Sequence, residues 1–183
     1  MMDQKFKVLL ASAVSAALCS SAMAWGGTSE GTINAGGALC YTSSSEAGAG
    51  FDVEAHGGSY LFDAFLAGGS VGLRDNDAVT TFEVSGLCKF HFLDMLLTDS
   101  EGRPYAFSPY IGTRLGLGHG KNRHDSNTGL LVAGRIGLDV FLTQNVALDL
   151  MADFAACTSE IYPDKADLEK NDVTVKLGLD FHF

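Results

Sequence analysis

Two residue types used in acyl-transfer catalysis lie close together, in the stretch His124-Asp125-Ser126-Asn127-Thr128-Gly129. A serine nucleophile needs a neighbouring base, and that base needs an acidic residue to orient it. No glutamate occurs between Ser126 and Glu160, and the first acid downstream, Asp139, should lie far along the following strand. The stretch is also rich in Asn, Asp and Gly, which favour turns. We therefore predict an ordinary loop here and no catalytic residues.

A second set of chemically active residues is charged, and its members recur at alternate positions of predicted strands. If these side chains share one interior they must pair, because an unpaired buried charge is costly. We expect a static network of ion pairs rather than a gate or a proton-linked switch. The predicted interior network consists of Glu54, Glu83, Lys89, Arg114, Arg135, Asp139, Asp149, Asp153 and Lys176.

Three histidines, His56, His91 and His182, fall on the same faces as these charged residues. A shared face raises the question of a metal site. His91 and His182 should lie at strand ends on opposite sides of the structure, so we expect solvated histidines at its rim. The sequence therefore predicts no metal and no cofactor.

The elements that position these residues show a two-residue alternation, the period of a strand with two unlike faces. The clearest example runs from Asp172 to Phe183, where Val, Leu and Phe alternate with polar residues and Gly178. About eight such segments follow one another, each near the roughly 10 residues that a tilted strand needs to cross a bilayer. The pattern predicts an all-β, eight-stranded, antiparallel up-and-down barrel.

The connections between the strands alternate in character. Polar, loop-like connections are predicted at Thr42–Ala49, Asp75–Asp77, Gly120–Asn127 and Ser159–Asn171. Tighter connections fall near Phe62-Asp63 and Thr143–Asn145, with Asp94–Ser108 as a longer exception on that side. Short turns on one side and longer loops on the other are typical of outer-membrane barrels. An even strand count places both termini on the side of the short turns.

The first 24 residues have the features of an export signal. Lys5 and Lys7 precede an apolar run from Val8 to Leu18, and Ala22-Met23-Ala24 fits signal-peptidase cleavage. We predict a signal peptide over residues 1–24 and one domain over 25–183. The formal net charge of −10 becomes −11 without that segment, which argues against nucleic-acid binding.

Three cysteines follow the predicted cleavage site, Cys40, Cys88 and Cys157. They share no metal-ligand spacing, so we interpret them as small apolar side chains. Cys40 and Cys157 should lie two strands apart, near or beyond the ~7 Å limit for a disulfide. We predict no bridge.

Alternation alone does not say which face is inside, and a soluble lipocalin-like carrier would turn its apolar face inward. Three stretches resemble the OmpA/OmpX-type small outer-membrane barrels. Val175–Phe183 looks like their C-terminal assembly signal, with Phe181 and Phe183 as its aromatic residues; Ser108–Gly118 is similar to their fifth strand, and Phe141–Leu150 to their last periplasmic turn. The resemblance implies a transmembrane barrel in the outer membrane, with both termini periplasmic.

The resemblance also implies partners: outer-membrane lipid, the barrel assembly machinery, periplasmic chaperones, and an extracellular partner at the loops. We expect a structural or surface-interaction role, in adhesion or envelope integrity, rather than an enzyme. One alternative is a lipid A-modifying acyl hydrolase, because the stretch at His124 resembles the His-x-Ser-Asn motif of outer-membrane lipid A deacylases. The other alternative is the soluble lipocalin-like carrier.

Overall fold

The computed structural model describes residues 28–44, 48–76, 79–92, 107–122, 124–143, 145–164 and 167–183. The predicted signal peptide over residues 1–24 and most of the segment Asp94–Ser108 lie outside the described residues. No helix among the described residues is long and apolar enough to cross a membrane.

Eight long antiparallel strands close on themselves as a barrel, which confirms the predicted fold class. Going around the barrel the order is β1, β2, β3, β4, β5, β6, β7 and β10, and β10 pairs with β1. The long strands are β1 Ile33–Ser44, β2 Gly48–Phe62, β3 Phe65–Asn76, β4 Thr80–His91, β5 Phe107–Lys121, β6 Ser126–Phe141, β7 Val146–Cys157 and β10 Asn171–His182. Between β7 and β10 lies a separate small hairpin, β8 Tyr162–Asp164 and β9 Asp167–Glu169.

The alternation along each strand separates an apolar exterior from a polar interior. Large apolar side chains on the outer face are exposed, for example Leu115 at 65% and Val173 at 67%. Charged side chains such as Arg135 and Asp149 are almost completely buried inside. Removing such apolar side chains from water is worth about 1.5–3 kcal/mol each, so this exterior suits lipid. A lipocalin-like carrier needs the opposite arrangement, and the structure does not favour that alternative.

The two ends of the barrel differ, and we name them by what lies there. At the terminal end, Ile33 and Phe183 exchange two backbone hydrogen bonds of 2.9 and 2.8 Å, which close β10 onto β1. The turn at Asp63 and Ala64 lies at the same end, and the Ala64 amide donates to the Thr28 carbonyl at 2.8 Å. The opposite end carries the β8–β9 hairpin, and we call it the hairpin end.

Two predicted loops at the hairpin end are mostly strand. In place of the loop Thr42–Ala49, pairing of β1 with β2 continues to Ser44 opposite Gly48. In place of the loop Gly120–Asn127, pairing of β5 with β6 continues to Lys121 opposite Ser126. The hydrogen-bonded ladder needs only backbone groups, so it extends past the point where the side chains stop alternating in polarity.

Candidate functional site

The interior near the hairpin end holds a network of guanidinium, ammonium and carboxylate groups, which we call the hairpin-side network. Its centre is Arg135, whose Nε lies 2.6 Å from Asp153 Oδ1 and whose Nη2 lies 2.7 Å from Glu54 Oε2. Lys176 Nζ is 3.1 Å from the same Glu54 oxygen. Arg114 Nη2 reaches Asp153 Oδ2 at 3.2 Å. Each of these carboxylates therefore contacts two cations.

The edge of this network is partly open at the barrel rim. Arg74 Nη2 lies 2.8 Å from Asp52 Oδ2 and 2.7 Å from Asp172 Oδ2, and Arg114 Nη1 lies 2.9 Å from Glu83 Oε2. Four cations thus face five carboxylates. Strand register produces two of these pairs directly, because Arg135 lies opposite Asp153 and Arg74 opposite Asp52. Opposite charges at facing positions stabilise a sheet.

The interior near the terminal end has a different composition, and we call it the terminal-side network. Lys89 Nζ lies 3.1 Å from Asp149 Oδ2 and 2.9 Å from Asp180 Oδ2. Tyr110 donates its hydroxyl hydrogen to Asp149 Oδ1 at 2.8 Å, and Asn34 Nδ2 donates to Asp180 Oδ2 at 3.2 Å. Among the described residues, Lys89 is the only lysine or arginine of this network.

A third carboxylate, Asp139, completes the terminal-side network. Asp139 on β6 lies directly opposite Asp149 on β7. Its side chain is fully buried, and neither of its oxygens has a hydrogen-bond partner among the described residues. Like charges at facing positions destabilise a sheet, so the register that creates attraction near the hairpin end creates repulsion here.

The histidines lie inside the barrel, which corrects the expectation of solvated histidines at the rim. His91 and His182 are both fully buried, and both rings pack against Tyr60, with centroids 5.7 and 6.0 Å from its ring. The Tyr60 hydroxyl also lies 3.1 Å from His91 Nε2. An eight-stranded barrel is only about as wide as its own side chains, so one tyrosine reaches residues from strands on either side.

His56 joins the two networks. Its Nε2 lies 2.8 Å from Asp180 Oδ1, and its Nδ1 lies 3.6 Å from Glu54 Oε1. Gly36 makes this contact geometrically feasible, because a Cβ at that position would overlap Asp180 Oδ1 and approach His56 Nε2 to 2.7 Å. The nine residues of the predicted interior network are all buried, but they divide between these two networks.

The segment that carries the β8–β9 hairpin folds back into the mouth of the barrel. Ile161 and Tyr162 are buried, although a polar loop was predicted over Ser159–Asn171; that prediction was wrong for these two residues. Gly118 and Gly120 leave the space that Ile161 occupies, since a Cβ at either position would overlap it. The apolar side chains of Leu131, Ala133, Ala155 and Cys157 complete the cluster.

Polar contacts hold the same segment in place. Thr81 Oγ1 donates to the Ile161 carbonyl at 2.8 Å, and Asn127 Nδ2 donates to the Glu160 carbonyl at 3.0 Å. The guanidinium of Arg74 lies over the Tyr162 ring, 5.7 Å from its centroid. Burial raises the pKa of the Tyr162 phenol, which therefore stays neutral. The hairpin end is thus closed by an apolar plug above the ion pairs.

The His-Ser stretch does not form the arrangement that an acyl hydrolase needs. Ser126 Oγ lies 3.4 Å from His119 Nε2 rather than beside a His124 nitrogen, and His119 Nδ1 contacts Thr128 Oγ1 at 2.8 Å. Asp139, the acid nearest in sequence, is buried at the other end of β6. The structure does not favour the hydrolase alternative.

The cysteines agree with expectation. Cys40, Cys88 and Cys157 are all free, which confirms that no bridge forms between Cys40 and Cys157. The apolar residues that pack with Cys157 were detectable in the sequence. Leu131 and Ala133 lie at alternate positions with Arg135, so the alternation places them on the inward face of β6.

No protein-family model matches the chain, and no curated protein does. Solved structures do. The chain is similar to Neisserial surface protein A, with 16% identity, a TM-score of 0.56, and coverage of 83% of this chain and 96% of that one. It is also similar to the N-terminal barrel domain of Pseudomonas aeruginosa OprF, with 17% identity, a TM-score of 0.58, and coverage of 84% of this chain and 98% of that one. The outer membrane protein OprG of the same bacterium is a third similar structure, with 12% identity, a TM-score of 0.51, and coverage of 88% of this chain and 99% of that one. At sequence identities this low, the similarity shows a shared fold and nothing more.

Proposed function

We propose that the chain is an integral outer-membrane barrel that contributes to envelope structure or to interactions at the cell surface, such as adhesion. The observation that carries this proposal is the closed interior. Charged and polar side chains fill it, most of them in ion pairs, and Ile161 and Tyr162 plug its hairpin end. A barrel without a channel or a catalytic arrangement among its described residues presents its chemistry through its outer surface.

The proposed location follows from the apolar exterior and from the neighbours in fold. OprG is described as an outer membrane protein and the Neisserial neighbour as a surface protein. In this arrangement the hairpin end faces outward and both termini face the periplasm. Cleavage after Ala24 belongs to the same proposal, because export is the first step towards that membrane.

Location and orientation are tested together in cells. We expect the protein in the outer-membrane fraction, with a gel band that migrates faster before boiling than after it. An epitope tag inserted after Lys165, between β8 and β9, should be labelled on intact cells. A tag placed just after Ala24 should be labelled only after permeabilisation. A soluble periplasmic protein, or the opposite labelling pattern, would overturn the proposal.

The surface role is tested with charge variants of the hairpin. Glu160 and Glu169 are exposed there, and a double Glu160→Gln, Glu169→Gln variant should alter binding of cells to host matrix or host cells. Glu30→Gln is the matched control, because Glu30 is exposed at the terminal end. If a deletion strain shows unchanged adhesion and unchanged sensitivity to detergents and large antibiotics, neither proposed role holds.

The closed interior predicts the absence of steady conductance in planar bilayers. Channel openings by the purified wild-type barrel would instead place its function in transport. A variant with Ile161→Gly and Tyr162→Gly removes the side chains of the plug and serves as the comparison. Its ion pairs remain, so we expect it to stay closed as well.

Assembly partners are proposed from the chain's last strand. We propose that the barrel assembly machinery recognises the ending with Phe181 and Phe183, after delivery by periplasmic chaperones. Phe183→Ala should lower the amount of folded protein in the outer membrane, while its backbone bonds to Ile33 can still form. Phe154→Ala is the control, because Phe154 is an outward-facing phenylalanine of β7 that is 49% exposed. Equal losses in the two variants would contradict a specific role for the ending.

A further inference from the structure

Two groups of potential metal ligands lie inside the barrel near the terminal end, and they share Asp180. The first consists of His56, Asp149 and Asp180, and the second of Asp139, Asp180 and His182. Within each group the ligand atoms all lie within 4.8 Å of one another, and every member is buried. The two groups differ in whether a cation of the protein already serves them.

The first group is served by Lys89. The ammonium nitrogen lies 3.1 Å from Asp149 Oδ2, 2.9 Å from Asp180 Oδ2 and 3.5 Å from His56 Nε2. It therefore contacts all three members and takes the place at which a metal ion would bind. This group is complete without a metal.

The second group shares the contact of Lys89 with Asp180, but among the described residues no lysine or arginine forms an ion pair with its other carboxylate, Asp139. Both oxygens of Asp139 lack a hydrogen-bond partner among the described residues, and the carboxylate is fully buried. His91 Nδ1 lies 3.9 Å from Asp139 Oδ2, and that nitrogen contacts Ser108 Oγ at 2.9 Å. The facing Asp149 already accepts from Tyr110 and Lys89 and, as an anion, has no proton to donate.

The charge balance of the terminal-side network also favours a further cation there. Asp139, Asp149 and Asp180 face a single ammonium, so the network carries two uncompensated negative charges when all three carboxyl groups are ionised and its imidazoles are neutral. Buried charge of this kind is costly unless it is paired, coordinates a metal or is neutralised by a proton. One divalent cation would bring the network to neutrality.

We propose that Asp139, Asp180 and His182 bind one divalent transition-metal ion of the Zn²⁺ type. Two carboxylate oxygens with one imidazole nitrogen suit Zn²⁺, whereas Ca²⁺ and Mg²⁺ prefer oxygen ligands alone. Donor atoms bound to zinc at about 2.0–2.2 Å lie roughly 3.3 Å apart, so the three ligand atoms, which lie within 4.8 Å of one another, need only small side-chain movements to bind the ion. The ion links β6 to β10 across β7.

Zinc content is the direct test. The tag-free chain, folded in detergent and stripped with a chelator, is dialysed against Zn²⁺ and then against metal-free buffer. We expect one zinc per barrel by elemental analysis. Asp139→Asn should weaken zinc binding at least tenfold. Glu83→Gln is the matched control, because it changes a carboxylate of the hairpin-side network, and it should leave the zinc content unchanged.

Two further measurements keep the test decisive. Gel mobility before boiling reports whether each variant folds. If Asp139→Asn does not fold, wild-type protein loaded with Co²⁺ should show the visible absorption of a buried cobalt ion with an imidazole ligand. A folded wild-type barrel that binds no zinc overturns the proposal. Zinc retained in Asp139→Asn but lost when His119 and His124 are replaced also overturns it, because the ion would then bind at the surface.

Discussion

The two halves of the barrel interior surround their buried carboxylates with different side chains. In the hairpin-side network, guanidinium groups with several donors bridge neighbouring carboxylates, and Arg135 alone contacts Glu54 and Asp153. In the terminal-side network, one ammonium, a phenol and imidazoles surround three aspartates. Arginine suits bidentate carboxylate contacts better than lysine does. The first network is therefore nearly neutral by itself, and the second is not.

The difference begins in strand register rather than in overall composition. The pairing of β6 with β7 places Arg135 opposite Asp153 near the hairpin end, and four residues further along β6 it places Asp139 opposite Asp149. The same two strands thus carry an attractive facing pair and a repulsive one. The facing like charges near the terminal end therefore need compensation that strand pairing alone does not supply.

The largest effect is expected from Lys89→Met. This change leaves three buried carboxylates without the ammonium that contacts two of them. Removing one partner of a buried ion pair costs about 3–5 kcal/mol, and here one cation serves two anions. We expect at least that loss in the free energy of unfolding, measured by urea titration in lipid vesicles. The double variant Lys89→Met, Asp180→Asn should recover part of the loss; if it recovers none, the ammonium does not act through Asp180.

Arg135→Met should cost less, although Arg135 is the larger and equally buried residue. Its partners keep other cations, because Glu54 still contacts Lys176 and Asp153 still contacts Arg114. We expect a loss of about 2–3 kcal/mol, within the range for leaving charged partners incompletely satisfied. The same urea titration ranks the two variants. A greater loss for Arg135→Met than for Lys89→Met would show that the hairpin-side network is not redundant.

The sequence predicts the faces of the strands well, because a two-residue period is a local property. It places Arg135, Asp139 and Asp153 on the inner face, and each is buried there. Depth and partner are not local: they depend on the stagger between strands, which alternation does not encode. His91 and His182 were therefore expected at a solvated rim on opposite sides, whereas both contact Tyr60.

The plug could not be predicted for a related reason. Ile161 and Tyr162 stand in a polar stretch, and composition favours an exposed loop there. What decides their position is the space left by Gly118 and Gly120 on β5, about forty residues earlier in the chain. Glycines in a strand indicate such a close approach, but they do not say which segment makes it.

A medium effect, confined to the hairpin end, is expected from Ile161→Ala. Truncating a buried isoleucine costs about 2 kcal/mol or more, and here it loosens the plug above Cys157, which belongs to the same apolar cluster. In a background with Cys40→Ser and Cys88→Ser, Cys157 should react faster with a soluble maleimide. Leu66→Ala is the control, because Leu66 is a fully buried apolar residue next to the turn of the terminal end. Equal acceleration by both changes would indicate global loosening and not release of the plug.

The smallest expected effect is a gain in stability, from Asp139→Asn, and it distinguishes the terminal-side network from the hairpin-side network. In metal-free buffer, Asp139→Asn removes the repulsion between Asp139 and the facing Asp149, and it gives Asp149 an amide donor. Facing pairs contribute about 0.2–1 kcal/mol, so we expect the free energy of unfolding to rise by that amount. Asp153→Asn, four positions along β7 from Asp149, removes partners of Arg135 and Arg114 and should lower it. Added Zn²⁺ should stabilise the wild-type barrel and not Asp139→Asn. The difference between their free energies of unfolding should therefore shrink or change sign when the metal is present. If Asp139→Asn lowers stability without metal, the carboxylate has a partner within the barrel, and the charge imbalance between the two halves disappears.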